Sequence, residues 1–224
     1  MTDPHHDCAL VIMAKAPCAG RVKTRLEPAV PPDALVALYR CLIEDTVALA
    51  RQAGVPRIAV VCPHGDRGEI AHWLDIEVVE QEGHGLAAAL DSVFRLFVGD
   101  GCRRVIAFNG DTPHLPPDTL AGAFALLTHH DVVVGPTEDG GYYLVGARGA
   151  HPGLFDAHGL GTGGALRSLL ARAAERGLGV ALTEAWYDVD EGSDLARLGA
   201  ELRRTPARAP RTAAWLAAWN GRMP

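Results

Sequence analysis

Little of this chain is cysteine. There are 5 in 224 residues, an odd number with no C-x-x-C pair. That excludes a disulfide framework and a zinc cluster. Positive charge is not in excess either. Lys and Arg number 21 against 27 Asp and Glu, for a net charge of −6. A mildly acidic chain of this kind is a poor candidate for broad nucleic-acid binding, and a local basic patch stays open. No apolar run approaches the roughly 18–20 residues of a membrane span. The polar stretch from Met1 to Asp7 lacks the basic-then-apolar order of a secretory signal. Internal repeats and linkers are absent, and the 25 Gly and 15 Pro are dispersed as loop punctuation. These absences predict a reduced, cytoplasmic protein, a monomer or homodimer, with no nucleic-acid or membrane partner.

What is present is a core. Hydrophobic residues make up 48% and charged residues 21% of the chain, which excludes global disorder. Short apolar runs alternate with longer amphipathic stretches. Strands are predicted at 9–14, 57–62, 76–80, 104–108, 132–134, 142–145 and 180–186. Helices are predicted at 31–52, 66–74, 84–98, 116–130, 163–176 and 193–202. The 31–52 helix sets Leu35, Leu38, Leu42, Val47 and Leu49 largely on one side, and the 84–98 helix does the same with Leu86, Leu90, Val93, Phe94 and Phe97. Strands apolar on both faces and separated by helices predict one α/β domain, a mostly parallel sheet covered on both sides. That domain spans 1–204, and a tail from 205 to 224 docks on it through Trp215 and Trp219, four residues apart on one helical face. In such sheets ligands bind beyond the C-terminal ends of the strands.

Four segments in those places carry chemistry. After the first strand, Lys15, Arg21, Lys23 and Arg25 fall within eleven residues, with Pro17, Gly20 and Thr24 among them. Clustered cations and backbone N–H groups suit polyphosphate. The loop has neither the P-loop nor the dinucleotide glycine pattern, and its bland reading is a solvated basic turn. After the fourth strand comes Asn109-Gly110-Asp111-Thr112-Pro113-His114. Asp111 either ligates a hard cation or caps a turn. The third segment, Glu138-Asp139-Gly140-Gly141-Tyr142-Tyr143, reads both as close backbone approach to a ligand and as a hairpin turn. In the fourth, Asp188-Val189-Asp190-Glu191-Gly192-Ser193-Asp194, the alternating Asp188 and Asp190 point to one side and precede a helix cap.

Taken together, K-x-P-x-x-G-x-V-K-T-R-L at 15–26, G-D-T-P at 110–113, E-D-G-G-Y-Y-L-V-G at 138–146 and D-V-D-x-x-x-D-L at 188–195 resemble the GT-A-like nucleotide-diphospho-sugar transferase superfamily. The nearest branch is bacterial, labelled glycosyltransferase or radical-SAM/selenodomain-associated transferase. The first loop is also similar to that of phospholactate guanylyltransferases, and the last motif to that of molybdenum-cofactor guanylyltransferases. The resemblance implies a Rossmann-like GT-A fold. It implies that Lys15, Pro17, Gly20, Arg21, Lys23, Thr24 and Arg25 surround the nucleotide phosphates, with Gly83, Gly85, Gly140 and Gly141 also near the ligands. Asp111, Asp188 and Asp190 would hold Mg²⁺ or Mn²⁺, and Lys23, Arg25, Asp111 and Asp139 would act in catalysis. Glu138 and Asp139 would line the acceptor side. Departures occur at Asn109 and His114, in the Gln81–Gly85 stretch, and at His158–Thr162, where relatives carry a Trp-Ser-Thr type of segment.

The function expected is Mg²⁺-dependent nucleotidyl transfer, in which an NMP passes from an NTP to a small phosphorylated metabolite and pyrophosphate leaves. Four cations offset much of the roughly −4 charge of a triphosphate, more than a nucleotide-sugar requires. The alternatives are glycosyl transfer from a nucleotide-diphospho-sugar, with Asp139 as base, and a non-catalytic nucleotide-binding subunit.

Overall fold

In the computed structural model, which describes residues 7–155 and 163–220, strand β1 (Cys8–Met13) is an interior strand of a seven-stranded sheet. Side chains alternate along it. Leu10 and Ile12 enter one core layer, Ala9 and Val11 the other, and all four are fully buried. A strand that must be apolar on both faces belongs inside a covered sheet.

The other strands are β2 (Arg57–Cys62), β3 (Glu77–Glu80), β4 (Arg104–Asn109), β5 (Val132–Pro136), β6 (Tyr142–Ala147) and β7 (Val180–Leu182), in the order β3-β2-β1-β4-β6-β5-β7. Pairing is parallel except at β6, which runs antiparallel to both β4 and β5. The helices are α1 (Pro32–Gln52), α2 (Arg67–Trp73), α3 (Gly85–Gly99), α4 (Asp118–Leu126), α5 (Ala165–Glu175), α6 (Gly192–Arg204) and α7 (Pro210–Asn220). Ile43 and Val47 of α1, Ile70 of α2 and Phe124 of α4 cover one face of the sheet. Phe94 and Phe97 of α3 and Leu169 of α5 cover the other. This mostly parallel sheet with helices on both faces is the architecture the alternating pattern predicts. Each fully buried Leu, Ile or Phe contributes about 1.5–3 kcal/mol of transfer free energy.

A third apolar layer ties the C-terminal helices on. Leu35, Leu38 and Leu42 of α1 meet Leu195, Leu198 and Leu202 of α6 and Leu216 of α7. Trp215 and Trp219 stack with ring centroids 5.3 Å apart and pack against that layer. The buried Asp45 carboxylate accepts the backbone N–H groups of Arg211 and Thr212, which caps the start of α7.

Two expected elements and one side chain differ. Helix α4 is shorter than 116–130: after Leu126 the backbone closes in tight turns, with Thr128 N–H on Ala125 O and His129 N–H on Leu126 O. Strand β7 stops at Leu182 rather than 186. Its neighbour β5 shifts register between Gly135 and Pro136, where proline supplies no N–H. Leu86, which shares the helical spacing of Leu90, Val93, Phe94 and Phe97, is 46% exposed at the start of α3 while those four are buried. Residues 158–162, where a departure from relatives is expected, lie outside the described residues. Among the described residues no helix is long and apolar enough to cross a membrane.

Candidate active site

The chain leaves β1 and β2 in one direction across the sheet, and β3 returns it to β4 on the other side of β1. Beyond the C-terminal ends of these strands the following loops diverge and leave a crevice. A cleft of about 610 Å³ lies there. Lys15, Arg21, Lys23, Thr24 and Arg25 line it from the loop after β1, and Asp111 from the end of β4. Gln81, His84, Gly85 and Leu86 line it from the β3–α3 junction, and Asp190 from the segment before α6.

The basic loop is held by buried groups. Asp66, just past β2 and 4% exposed, accepts the Ala16 N–H at 2.8 Å and Arg21 Nη2 at 3.0 Å. The Tyr39 hydroxyl of α1 accepts the Lys15 N–H at 2.9 Å. Burial, with the charge of Asp111 second, pushes the Tyr39 hydroxyl well up, so it stays neutral. Neither residue stood out in the sequence. Asp66 had a signal, since it follows a strand end, whereas Tyr39 occupies an ordinary core-facing position of α1.

Lys23 is the centre of the site. Its backbone is left-handed, at φ 52° and ψ 34°, a conformation that costs a non-glycine residue on the order of 1 kcal/mol. The turn sends its side chain inward, where it is 4% exposed. The ammonium donates to Asp111 Oδ1 at 2.9 Å, Asp190 Oδ1 at 3.1 Å and Val189 O at 2.7 Å. Burial alone would lower the Lys23 pKa, but the two carboxylates outweigh it and raise it. Arg25 reaches Asp190 Oδ2 at 3.2 Å from a largely exposed position. Asp188 lies beside them, its carboxyl pushed up to about 6 by burial first, then by the charges of Asp190 and Asp111.

The structure thus brings the two acidic segments together, as expected. A divalent cation fits the chemistry of the donors: two carboxylates already share one cationic centre, with a third carboxyl beside them, and all are hard oxygens. Among the described residues, however, no three such side chains already form a metal-holding group. The point that Asp111 and Asp190 share is taken by the Lys23 ammonium.

The remaining expected residues stand apart from the cleft wall. Pro17, Gly20, Gly83, Asp139, Gly140, Gly141 and Asp188 are not on its lining. The paired glycines admit close backbone approach, but from the chain itself: a Cβ on Gly140, at φ 89°, would collide with the Gly163 carbonyl oxygen. They also sit in the β5–β6 connection, so the hairpin reading holds. Asp139 Oδ1 accepts from Thr137 Oγ1 at 2.5 Å and Gly141 N–H at 3.1 Å. The Thr137 hydrogen bond, above all, holds its pKa below the usual carboxylate value. Glu138 turns toward α6 and pairs with Arg197 through both oxygens, at 2.7 and 3.0 Å.

Fold and cleft are of the GT-A-like class, in which the similar proteins below are nucleotidyl or nucleotide-sugar transferases. Within it, the chain belongs to the DUF2064 family, described as uncharacterized proteins conserved in bacteria, whose model matches residues 46–162. That match takes in Asp111 and the 138–146 segment, whereas the basic loop and Asp190 fall outside it. The phosphoenolpyruvate guanylyltransferase of Rubrobacter xylanophilus is 29% identical over 189 residues, which are 80% of this chain and 87% of that one. A crystal structure from Desulfovibrio desulfuricans G20, provisionally called a nucleotide-diphospho-sugar transferase, superposes with a TM-score of 0.89 at 27% identity, covering 96% of each chain. A nucleotidyl transferase from Methanothermobacter thermautotrophicus shares the fold, with a TM-score of 0.59 at 23% identity over 88% of this chain and 98% of that one.

Proposed function

We propose that the protein transfers a nucleotidyl group from an NTP to a small phosphorylated acceptor, with Mg²⁺ or Mn²⁺ bound, and releases pyrophosphate. The observation that carries this reading is the cleft lining: Lys15, Arg21, Lys23 and Arg25 line one cleft together with Asp111 and Asp190. Four cations match a triphosphate better than a nucleoside diphosphate. The Rubrobacter relative supports it and makes GTP the first donor to test, and phosphoenolpyruvate the first acceptor.

The chain's own residues supply positioning and charge. Arg21 and Arg25 each pair with one carboxylate but are 49% and 64% exposed, so their remaining N–H donors can reach phosphate oxygens that enter the cleft. Asp66 keeps the loop's backbone in place while they do so. Asp111 and Asp190, with Asp188, would hold the metal, which neutralises phosphate charge and orients the reacting groups. Gln81, His84 and Leu86 line the same cleft from the β3–α3 junction and would meet the less charged part of the donor.

Glycosyl transfer is the second reading, favoured by the Desulfovibrio relative. It asks Asp139 to take a proton from an acceptor hydroxyl, yet Asp139 is held ionised below its usual pKa, which makes it a weak base. The test is a panel of four NTPs and several nucleotide-sugars with Mg²⁺. It is read first by thermal shift, then by product analysis with phosphorylated acceptors. Stabilisation by one NTP and acceptor-dependent pyrophosphate release are expected. Release of a nucleoside diphosphate from a nucleotide-sugar, with no response to any NTP, would overturn the reading in favour of glycosyl transfer.

A further inference from the structure

We infer that Lys23 is an internal stand-in for the divalent cation. Its ammonium joins the two acidic segments in the metal-free protein and is displaced toward the phosphate end of the cleft when metal binds. This rests on the reading of Asp111, Asp188 and Asp190 as the metal-holding set.

Four observations lead there. An ammonium has three N–H donors, and Lys23 has three acceptors: Asp111 Oδ1, Asp190 Oδ1 and Val189 O, all within 3.1 Å. They come from segments far apart in sequence, so one cation closes the site as a metal would. Second, Lys23 is 4% exposed, whereas its loop neighbours Arg21 and Arg25 are 49% and 64% exposed. A surface phosphate ligand has no reason to be so enclosed. Third, Lys23 is the one non-glycine residue with positive φ among the described residues. The turn is closed by the Leu26 N–H on Lys23 O, and the side chain it turns inward ends on the carboxylates. Fourth, Lys23 also lines the cleft, so its flexible stem needs only to swing to reach a phosphate.

The direction of exchange follows from charge. Removing the ammonium with nothing in its place leaves the part-exposed carboxylates of Asp111 and Asp190 close together with their charge uncompensated, so the lysine stays until a cation replaces it. A divalent ion brings one more positive charge to the same oxygens. Ionic contacts are exchanged, and no proton has to move. Metal affinity is then reduced by the fraction of molecules in which Lys23 occupies the site.

The test compares the wild-type protein with Lys23→Met and Arg25→Met, titrated with Mn²⁺ and followed by the electron paramagnetic resonance of the free ion. Arg25→Met removes a nearby charge that touches Asp190 only, so it measures the general field effect. Lys23→Met is expected to bind Mn²⁺ at least about tenfold tighter than wild type, and Arg25→Met less than about threefold tighter. A second measurement needs no variant. Lys15, exposed, is the only other lysine in the chain. Amine labelling read by mass spectrometry should show Lys23 protected without metal and reactive with Mn²⁺, with Lys15 as internal reference. Should Lys23→Met fail to fold, the labelling decides. Unchanged affinity or unchanged Lys23 labelling, in a protein that binds Mn²⁺, overturns the exchange and leaves the metal reading standing. No Mn²⁺ binding by wild type or Lys23→Met overturns both.

Discussion

Asp66 has no place in the chemistry, yet its removal should disable the loop that does. In Asp66→Ala the buried Ala16 N–H loses its acceptor at 2.8 Å, and an orphaned buried donor costs about 1–3 kcal/mol. The Arg21 pair is lost too, but Arg21 is 49% exposed, so that interaction adds no more than about 1 kcal/mol. A total near 3 kcal/mol should lower Tm by roughly 6–12 °C for a chain of this size. Asp66→Asn separates the two contributions. The amide oxygen can still accept from Ala16, while the charge facing Arg21 is gone, so a loss of about 1 kcal/mol or less is expected. Both variants should be melted in metal-free buffer, with hydrogen exchange followed on peptides covering residues 15–26. Faster exchange there should accompany the Ala variant alone. If the Asn variant loses as much as the Ala variant, the ion pair rather than the backbone anchor holds the loop, and the reasoning fails.

Three further outcomes are expected. His114 is fully buried, with neither ring nitrogen bonded, and burial first, then the charges of Arg208 and Arg197, push its pKa down to about 3. An unfolded histidine takes up its proton near pH 6.5, so stability should fall as pH drops from there toward 3, by roughly 3–5 kcal/mol in all. His114→Leu should flatten that acid limb in urea melts at stepped pH; an unchanged limb would assign it to other groups. Gly140→Ala should cost about 2–3 kcal/mol, because φ 89° and the Gly163 carbonyl both oppose a Cβ. Gly20→Ala, at φ 72° with open space around it, should cost about 1 kcal/mol; equal losses would mean that the contact with Gly163 contributes nothing. Arg197 grips Glu138 and lies 3.7 Å from the centroid of the Tyr187 ring. Arg197→Met should therefore lose about 1 kcal/mol. A double-mutant cycle with Glu138→Gln should show non-additivity, and strict additivity would refute the coupling of Arg197 to Glu138.

Much of the scaffold was written locally. The period of 3.6 in 31–52 marked Leu35, Leu38, Leu42, Val47 and Leu49, and all five are buried, but in two layers: Leu35, Leu38 and Leu42 against the C-terminal helices, Val47 and Leu49 in the layer on the sheet. The same period misplaced Leu86, because a pattern reports which residues share a face but not whether the end of a helix overhangs a cleft. Lys15, Arg21, Lys23 and Arg25 were legible as a group because one short loop at a strand end carries them. The signal for Asp66 was present but weak, a single carboxylate in a loop with no visible partner.

By itself, then, the sequence determined the element types, the covered mostly parallel sheet and the basic loop beyond β1, since each depends on residues within a few turns of one another. Only the tertiary structure decided that β6 enters antiparallel between β4 and β5, and that Asp66 anchors an N–H fifty positions away. It also brought Lys23 to Asp190, across 167 positions. Those pairings depend on strand order and on which loops the switch in winding direction brings together. Neither leaves a periodic trace in the chain.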